Sequence, residues 1–153
     1  MTAEETRKKA LSLLERRDYG SEELCAKLVE KGAEPDEARA AVRYMVRVGF
    51  IDDERYAAMV VRHYAAKGFG PARIREELRR RKIDRELWDA ALAETPESDE
   101  RAAALFAGKM RGRAAEPDSL KKATAALVRR GFSWDAAKRA ADRYLAEMEL
   151  DEK

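Results

Sequence analysis

Apolar residues along this chain recur at helical spacing, and charged residues fill most of the positions between them. Leu24 and Leu28 lie four residues apart, and Ile74 and Leu78 repeat that spacing further along the chain. Residues separated by three or four positions share one face of an α-helix, so these pairs predict apolar stripes buried in a core. No segment of four or more residues alternates apolar and polar side chains well enough to predict a strand. The pattern therefore predicts an all-α fold.

The helical pattern is itself repeated along the chain. Residues 19–28 match residues 69–78 aromatic for aromatic, glycine for glycine and leucine for leucine, fifty positions later. A third, weaker copy follows, in which residues 127–132 match residues 28–33. Self-similarity of this period is typical of stacked supersecondary units, which present an extended surface rather than an enclosed pocket.

Residues that begin and end helices divide each copy into three helices. Gly20 and Gly70 precede the second helix of the first two copies, and Gly32 and Gly131 fit the left-handed position that ends such a helix. The clearest linker is Thr95-Pro96-Glu97-Ser98. We therefore expect three tandem three-helix modules that form one continuous, elongated and curved helical array. Their predicted bounds are 1–50, 51–95 and 98–149.

Charge is segregated along the chain although it nearly balances overall. The 153 residues contain 32 Lys and Arg against 30 Asp and Glu. Residues 72–82 nevertheless carry six basic against two acidic side chains, and residues 119–145 carry seven against two. These blocks predict positive surfaces, which favour polyanions or acidic protein faces. A charge block on a long helix can equally be a solvated face.

Few residues suit catalysis, secretion or a membrane. His63 is the only histidine and Cys25 the only cysteine, so no metal site, nucleophile–base pair or disulfide is expected. Residues 1–9 lack the apolar core of a signal peptide, and no stretch approaches the roughly 20 apolar residues of a membrane span. We therefore expect a cytoplasmic protein that is not an enzyme and that uses no metal or cofactor.

Three motifs occur in order along most of the chain. They are Tyr19-Gly20-Ser21-x-Glu23-Leu24-x-x-Lys27-Leu28, Gly49-Phe50-Ile51-Asp52-Asp53-Glu54-Arg55-Tyr56-Ala57 and Gly68-x-Gly70-Pro71-x-Arg73-Ile74-x-x-Glu77-Leu78. In this order and at this separation they resemble the RecX family of bacterial modulators of the RecA recombinase. Each motif alone is weak, whereas the combination is specific.

The resemblance implies an array of three three-helix modules that binds along the RecA filament on single-stranded DNA. It also implies restraint of the ATPase, strand-exchange and co-protease activities of RecA, and hence a role in recombination, DNA repair and the SOS response. The implied partners are the RecA filament and the single-stranded DNA within it, with no membrane, and we expect a monomer. The alternatives are a general DNA-binding helical module and a plain protein-interaction scaffold.

The middle repeat carries the first group of candidate binding residues. On its second helix Arg75 and Arg79 stand where the other two repeats have uncharged residues. Arg75, Arg79 and Lys82 are spaced as one helical face, and Arg73 is a fourth candidate. Arg80 and Arg81 have a glutamate four residues back, so we expect ion pairs there instead. We expect the four candidates to contact filament DNA or an acidic face of RecA, with a solvated stripe as the alternative. They are Arg73, Arg75, Arg79 and Lys82.

The last repeat carries a second group of candidates. Its members are Lys121, Lys122, Arg129 and Arg130. They are candidates for polyanion contact, because affinity for a polyanion grows with each phosphate neutralised. The alternative is that they keep a terminal repeat soluble.

Aromatic residues are expected to serve mainly in packing. Tyr56 and Tyr64 lie eight residues apart on one predicted helix, where they could stack on exposed bases. Packing between helices is the favoured interpretation for both. Trp88 and Trp134 fall on the third helices of their repeats, and both are expected to be packing anchors.

Overall fold

The computed structural model describes residues 1–93, 95 and 98–152. Within these residues the chain forms nine α-helices and one short 3₁₀ turn, with no strand. The elements are α1 (Ala3–Arg16), α2 (Ser21–Glu30), α3 (Pro35–Arg47), α4 (Asp53–Ala66), α5 (Pro71–Arg80), the 3₁₀ turn (Arg85–Leu87), α6 (Trp88–Ala93), α7 (Ser98–Met110), α8 (Pro117–Arg129) and α9 (Trp134–Asp151). The predicted all-α fold is therefore confirmed.

The chain divides into two compact units, each of which combines two segments of sequence. The first unit consists of Met1–Val60 and Glu77–Ala91, and the second consists of Val61–Glu76 and Leu92–Lys153. The division into three repeats, with the bounds given above, stays a prediction. Pro96 and Glu97 of the predicted linker lie outside the described residues.

Helices α1, α2 and α3 form the core of the first unit. Leu24 and Leu28 of α2 are fully buried, as their spacing predicts. They belong to one apolar cluster with Ala10 of α1 and Met45 of α3. Burial of a leucine side chain contributes about 1.5–3 kcal/mol, so this stripe holds α2 against its neighbours.

Helices α7, α8 and α9 form the core of the second unit. Phe106 and Met110 of α7 and Leu127 of α8 are fully buried. The helix α9 contributes mainly alanines to this cluster, including Ala137 and Ala140. Because alanine is small, α9 packs closely on α7 and α8. This core holds the end of α7 beside α8, which positions a cleft described below.

The glycine positions agree with the predicted helix boundaries. Gly20 and Gly70 stand immediately before the first residues of α2 and α5. Gly32 and Gly131 have positive φ angles of 109° and 101° just after α2 and α8. A residue with a Cβ is disfavoured in this left-handed region, so the two glycines act as the predicted helix stops.

The two tryptophans differ in burial. Trp88 is only 6% exposed, and its indole N–H donates a 3.0 Å hydrogen bond to the carbonyl oxygen of Ile83. It is therefore a packing anchor, as predicted. Trp134 is 59% exposed, so the same prediction is wrong there. Trp134 is the first residue of α9, and the core face of that helix begins only at Ala136.

Candidate partner-binding surfaces

Helix α5 directs its aliphatic residues inward and two of its arginines outward. Ile74 and Leu78 are buried, whereas Arg75 and Arg79 are exposed. Because the two arginines are four residues apart, they lie on the same side of α5. The side chain of Arg75 makes no hydrogen bond or ion pair within the described part of the chain. The guanidinium of Arg79 lies 5.5 Å from the ring centroid of Trp88.

Arg73, the fourth candidate of the middle repeat, has internal partners. Its guanidinium lies 3.9 Å from the carboxylate of Glu76, and both side chains are largely exposed. It also lies 5.4 Å from the ring centroid of Phe69. An exposed ion pair of this length is weak, so Arg73 is partly neutralised but still accessible to a partner.

Glu77 forms ion pairs with Arg80 and Arg81, the two residues that follow Arg79. Its carboxylate lies 2.8 Å from Arg80 and 2.9 Å from Arg81, although the residue is only 4% exposed. The predicted pairing of Arg81 with Glu77 is confirmed. Arg80 pairs with Glu77 rather than with Glu76, because the buried carboxylate is the one that needs compensating charge.

Lys82 does not extend the face formed by Arg75 and Arg79, and that part of the prediction is wrong. Helix α5 ends at Arg80, and Lys82 has a φ of 57°. It occupies the left-handed position that Gly32 takes in the first repeat. The helix therefore ends two residues before Lys82, so Lys82 does not follow the i, i+4, i+7 pattern of one helical face.

The four candidates of the last repeat are not brought together. Arg130 is half-buried, and its guanidinium donates a 3.2 Å hydrogen bond to the carbonyl oxygen of Lys67 and lies 5.0 Å from the Phe69 ring centroid. It therefore has a packing role. Lys121 is exposed on α8, beside Lys122.

Lys122 and Arg129 instead share a cleft with two cations that the sequence analysis did not select. The cleft has a volume of about 280 Å³. Its lining residues are Lys109, Arg113, Lys122, Ala123, Ala126 and Arg129. Lys109 comes from the last turn of α7, and Arg113 follows the left-handed Gly112. In the sequence, these two residues are indicated by the alternation of basic and uncharged residues around Gly112.

The Tyr56 side chain is buried and makes several polar contacts, so it does not present an exposed ring on which a base could stack. It is 4% exposed, and its hydroxyl donates to Glu23 at 2.8 Å. The same hydroxyl accepts hydrogen bonds from Arg17 at 2.9 Å and from Arg81 at 2.8 Å. Burial raises the pKa of Tyr56 above its ordinary value of 10.0. The packing interpretation is confirmed for this tyrosine.

Tyr64 also packs against a neighbour. It is half-buried, and its ring centroid lies 5.9 Å from that of Phe69. Both aromatic rings belong to the second unit. Neither tyrosine therefore offers a free ring face of the kind that exposed bases would need.

Cys25 lies in a cleft between α2 and α3 whose lining residues include no histidine. The cleft measures about 520 Å³, and Arg39, Arg43 and Arg47 line it along α3. Burial raises the pKa of the Cys25 thiol above its ordinary value of 9.0. At neutral pH the residue is a thiol rather than a nucleophilic thiolate. Within the described residues, no cluster of three or more His, Cys, Asp or Glu side chains is placed to hold a metal ion.

The described helices also show no membrane-spanning character. None of them combines the length and the apolar composition that a bilayer crossing requires.

Comparison with known proteins identifies related sequences along most of the chain. Residues 7–45 match a family model described as the first three-helix domain of RecX, and residues 52–92 match the second three-helix domain. A regulatory protein RecX from Xanthomonas axonopodis pv. citri (strain 306) is 42% identical over 139 residues, covering 89% of this chain and 85% of that protein. A regulatory protein RecX from Vibrio campbellii is 37% identical over 128 residues, covering 82% and 83%.

Solved structures agree with these sequence relatives. A crystal structure of RecX from Lactobacillus salivarius superposes with a TM-score of 0.82 at 20% identity, covering 97% of each chain. At that identity the likeness shows the fold alone. A crystal structure of a regulatory protein RecX gives a TM-score of 0.78 at 26% identity, covering 92% of this chain and 73% of that one. Two domain matches, together with relatives of this similarity that are matched over more than four fifths of their length, establish that the chain belongs to the RecX family.

Proposed function

We propose that this protein is a negative regulator of the RecA recombinase. It binds the RecA filament on single-stranded DNA and inhibits the ATPase, strand-exchange and co-protease activities of that filament. By doing so it modulates recombination, DNA repair and the SOS response. The observation that carries this proposal is the 42% identity to a regulatory protein RecX over 89% of the chain.

The polar surfaces of the helices support a binding role. Arg75 and Arg79 are exposed on α5, and no buried carboxylate holds either of them, in contrast to Arg80 and Arg81. Accessible arginines suit both phosphate oxygens and carboxylates, because the guanidinium donates two parallel hydrogen bonds. In the proposed complex these two arginines contact filament DNA or an acidic face of RecA, and Arg73 and Lys82 add charge nearby.

Inhibition by a binder requires a difference in affinity between states of its target. A protein that bound active and inactive filament equally well would change neither ATP hydrolysis nor strand exchange. We therefore propose that the protein binds most tightly to a filament state in which hydrolysis and strand exchange are slow. No catalytic residue, metal or cofactor has a part in this mechanism.

A general DNA-binding module is the second candidate function. The observation in its favour is the cleft with four cationic side chains on α7, α8 and the turn between them. Such a module would bind DNA without any recombinase, and it would not need to slow ATP hydrolysis.

One titration separates the two candidates. The rate of ATP hydrolysis by RecA on single-stranded DNA is measured while the protein is added well below one molecule per recombinase. We expect inhibition at this ratio, because a regulator that acts on the filament affects many subunits at once. Unchanged hydrolysis together with tight, salt-sensitive DNA binding would contradict the proposal and favour the general module.

A further inference from the structure

The cleft between the end of α7 and helix α8 combines four cations with a small apolar floor. Lys109 and Arg113 line one side, and Lys122 and Arg129 line the other. Lys122, Ala126 and Arg129 are spaced by four and three residues, so they lie on one face of α8. The short side chains of Ala123 and Ala126 leave the space open between the charged groups.

The charges in this cleft are poorly neutralised by the protein. The side chains of Lys109, Arg113 and Arg129 make no hydrogen bond or ion pair within the described residues. Lys122 pairs with Asp118 at 3.2 Å, but both side chains are exposed, so the pair contributes little. No carboxylate lines the cleft. Four like charges around one cleft repel each other, and a bound anion would remove that cost.

We infer that this cleft binds the phosphodiester backbone of nucleic acid. Two arginines and two lysines supply bidentate and point-charge donors for phosphate oxygens. An acidic protein partner is a poorer fit, because interface hot spots cluster in well-packed, desolvated pockets and the floor here is only two alanines. The inference deepens the proposed function, since it assigns the DNA contact of that function to Lys109, Arg113, Lys122 and Arg129.

The chain offers a matched pair of double variants for the test. Arg113→Gln with Lys122→Gln removes two cations from the cleft. Arg111→Gln with Lys138→Gln removes two exposed cations of the same unit that do not line the cleft. Both doubles change the net charge equally. Circular dichroism and thermal melting of each full-length variant check that the helices remain folded.

Binding is measured by fluorescence anisotropy of a labelled oligo-dT strand at several salt concentrations, without recombinase. We expect the cleft double to weaken binding at least about tenfold, since it removes two charge-assisted contacts to phosphate oxygens. The slope of log K against log salt should fall by about 1.4, at about 0.7 for each lost phosphate contact on a single strand. The control double should change the affinity by less than about threefold.

Several outcomes would overturn the inference. Equal weakening by the two doubles would show that only diffuse net charge matters. Absence of oligonucleotide binding by the wild-type protein would remove the site altogether. Polyglutamate binding with the same affinity and the same sensitivity to the cleft double would assign the cleft to an acidic protein instead.

The ATPase titration keeps this inference distinct from the proposed function. If wild type inhibits RecA but does not bind the oligonucleotide, the cleft inference fails and the regulator stands. If the cleft double loses oligonucleotide binding but wild type leaves ATP hydrolysis unchanged, the inference stands and the regulator fails.

Discussion

The backbone N–H of Gly70 donates a 2.7 Å hydrogen bond to the carbonyl oxygen of Arg130. A second bond of 3.0 Å runs from the N–H of Ala72 to the carbonyl oxygen of Gly131. In the second unit, backbone N–H groups at the start of α5 are thus satisfied by carbonyl oxygens just beyond the end of α8. These are groups that each helix leaves without intrahelical partners, so one contact stabilises two helix ends.

Substitution of Gly70 by alanine should destabilise the protein by about 1–3 kcal/mol. A Cβ at position 70 would clash with the carbonyl carbon of Gly131, so the backbones would have to separate and lengthen both hydrogen bonds. Urea unfolding monitored by circular dichroism measures the change.

Gly20→Ala is the matched control for this prediction. It occupies the same position in the first repeat, where the added Cβ would meet Tyr56 at 3.2 Å and Asp53 at 3.3 Å. Those contacts are longer and involve side chains rather than backbone, so the loss should be smaller than for Gly70→Ala. Equal losses would show that the close backbone approach at Gly70 is not the source of the effect.

Removal of the Tyr56 hydroxyl should cost about 1–3 kcal/mol, because Tyr56→Phe leaves Glu23 and Arg81 short of a buried hydrogen-bond partner. The variant should also change how the free energy of unfolding depends on pH in the alkaline range. Since burial raises the pKa of Tyr56 in the folded state, its contribution is fully present below the ordinary value of 10.0 and is lost as pH rises through the folded value.

Urea unfolding between pH 8 and pH 11 tests this prediction. Wild type should lose stability over the upper part of that range, and Tyr56→Phe should lose less over the same interval. Tyr64→Phe is a suitable control, because Tyr64 belongs to a different cluster of contacts. The same alkaline decline in wild type and Tyr56→Phe would show that another group is responsible.

Lys82→Gly should stabilise the fold by about 0.5–1 kcal/mol while weakening the inhibition of RecA. The φ of 57° at Lys82 is unfavourable for a residue with a Cβ and free of strain for glycine, which the other two repeats carry at this position. If Lys82 contacts the filament, its charge contributes to binding, which explains why a lysine occupies this unfavourable backbone position.

Thermal melting and the ATPase titration together test that reasoning. Increased stability with lower inhibitory potency would support a functional lysine. Increased stability with unchanged potency would show that the lysine is only solvated. Lys82→Asn provides a control, because asparagine removes the charge but tolerates the left-handed conformation better than most residues.

Sequence periodicity was sufficient to predict the helices and the apolar residues of their cores. Leu24 and Leu28 are buried because a four-residue spacing places both on one face, and Gly32 ends its helix because glycine accepts a positive φ. These properties depend on neighbours within about one turn, so they can be read from the chain alone.

The surfaces were harder to predict, because they depend on where helices stop and which helices meet. The proposed face of Arg75, Arg79 and Lys82 assumed that α5 continues, whereas it ends at Arg80. The cleft joins Lys109 of α7 with Arg129 of α8, and sequence spacing does not show that pairing. Only the packing of the second unit brings these two side chains to one place.

Charge reversal at Arg75 and Arg79 should raise the concentration needed for half-inhibition of RecA at least about tenfold. Both side chains are exposed, so Arg75→Glu with Arg79→Glu should leave the fold intact while replacing attraction for an anionic partner by repulsion. The readout is ATP hydrolysis by RecA on single-stranded DNA.

Arg39→Glu with Arg43→Glu is the matched control for that variant. These arginines are also exposed and four residues apart, but they lie on α3 of the first repeat. If α3 makes no contact with the filament, the control should inhibit like wild type. A folded Arg75→Glu/Arg79→Glu variant of undiminished potency would falsify the assignment of α5 to the interface. Equal loss of inhibition in both variants would show instead that inhibition depends on net charge in general. Reversing any two arginines four residues apart would then repel the filament equally.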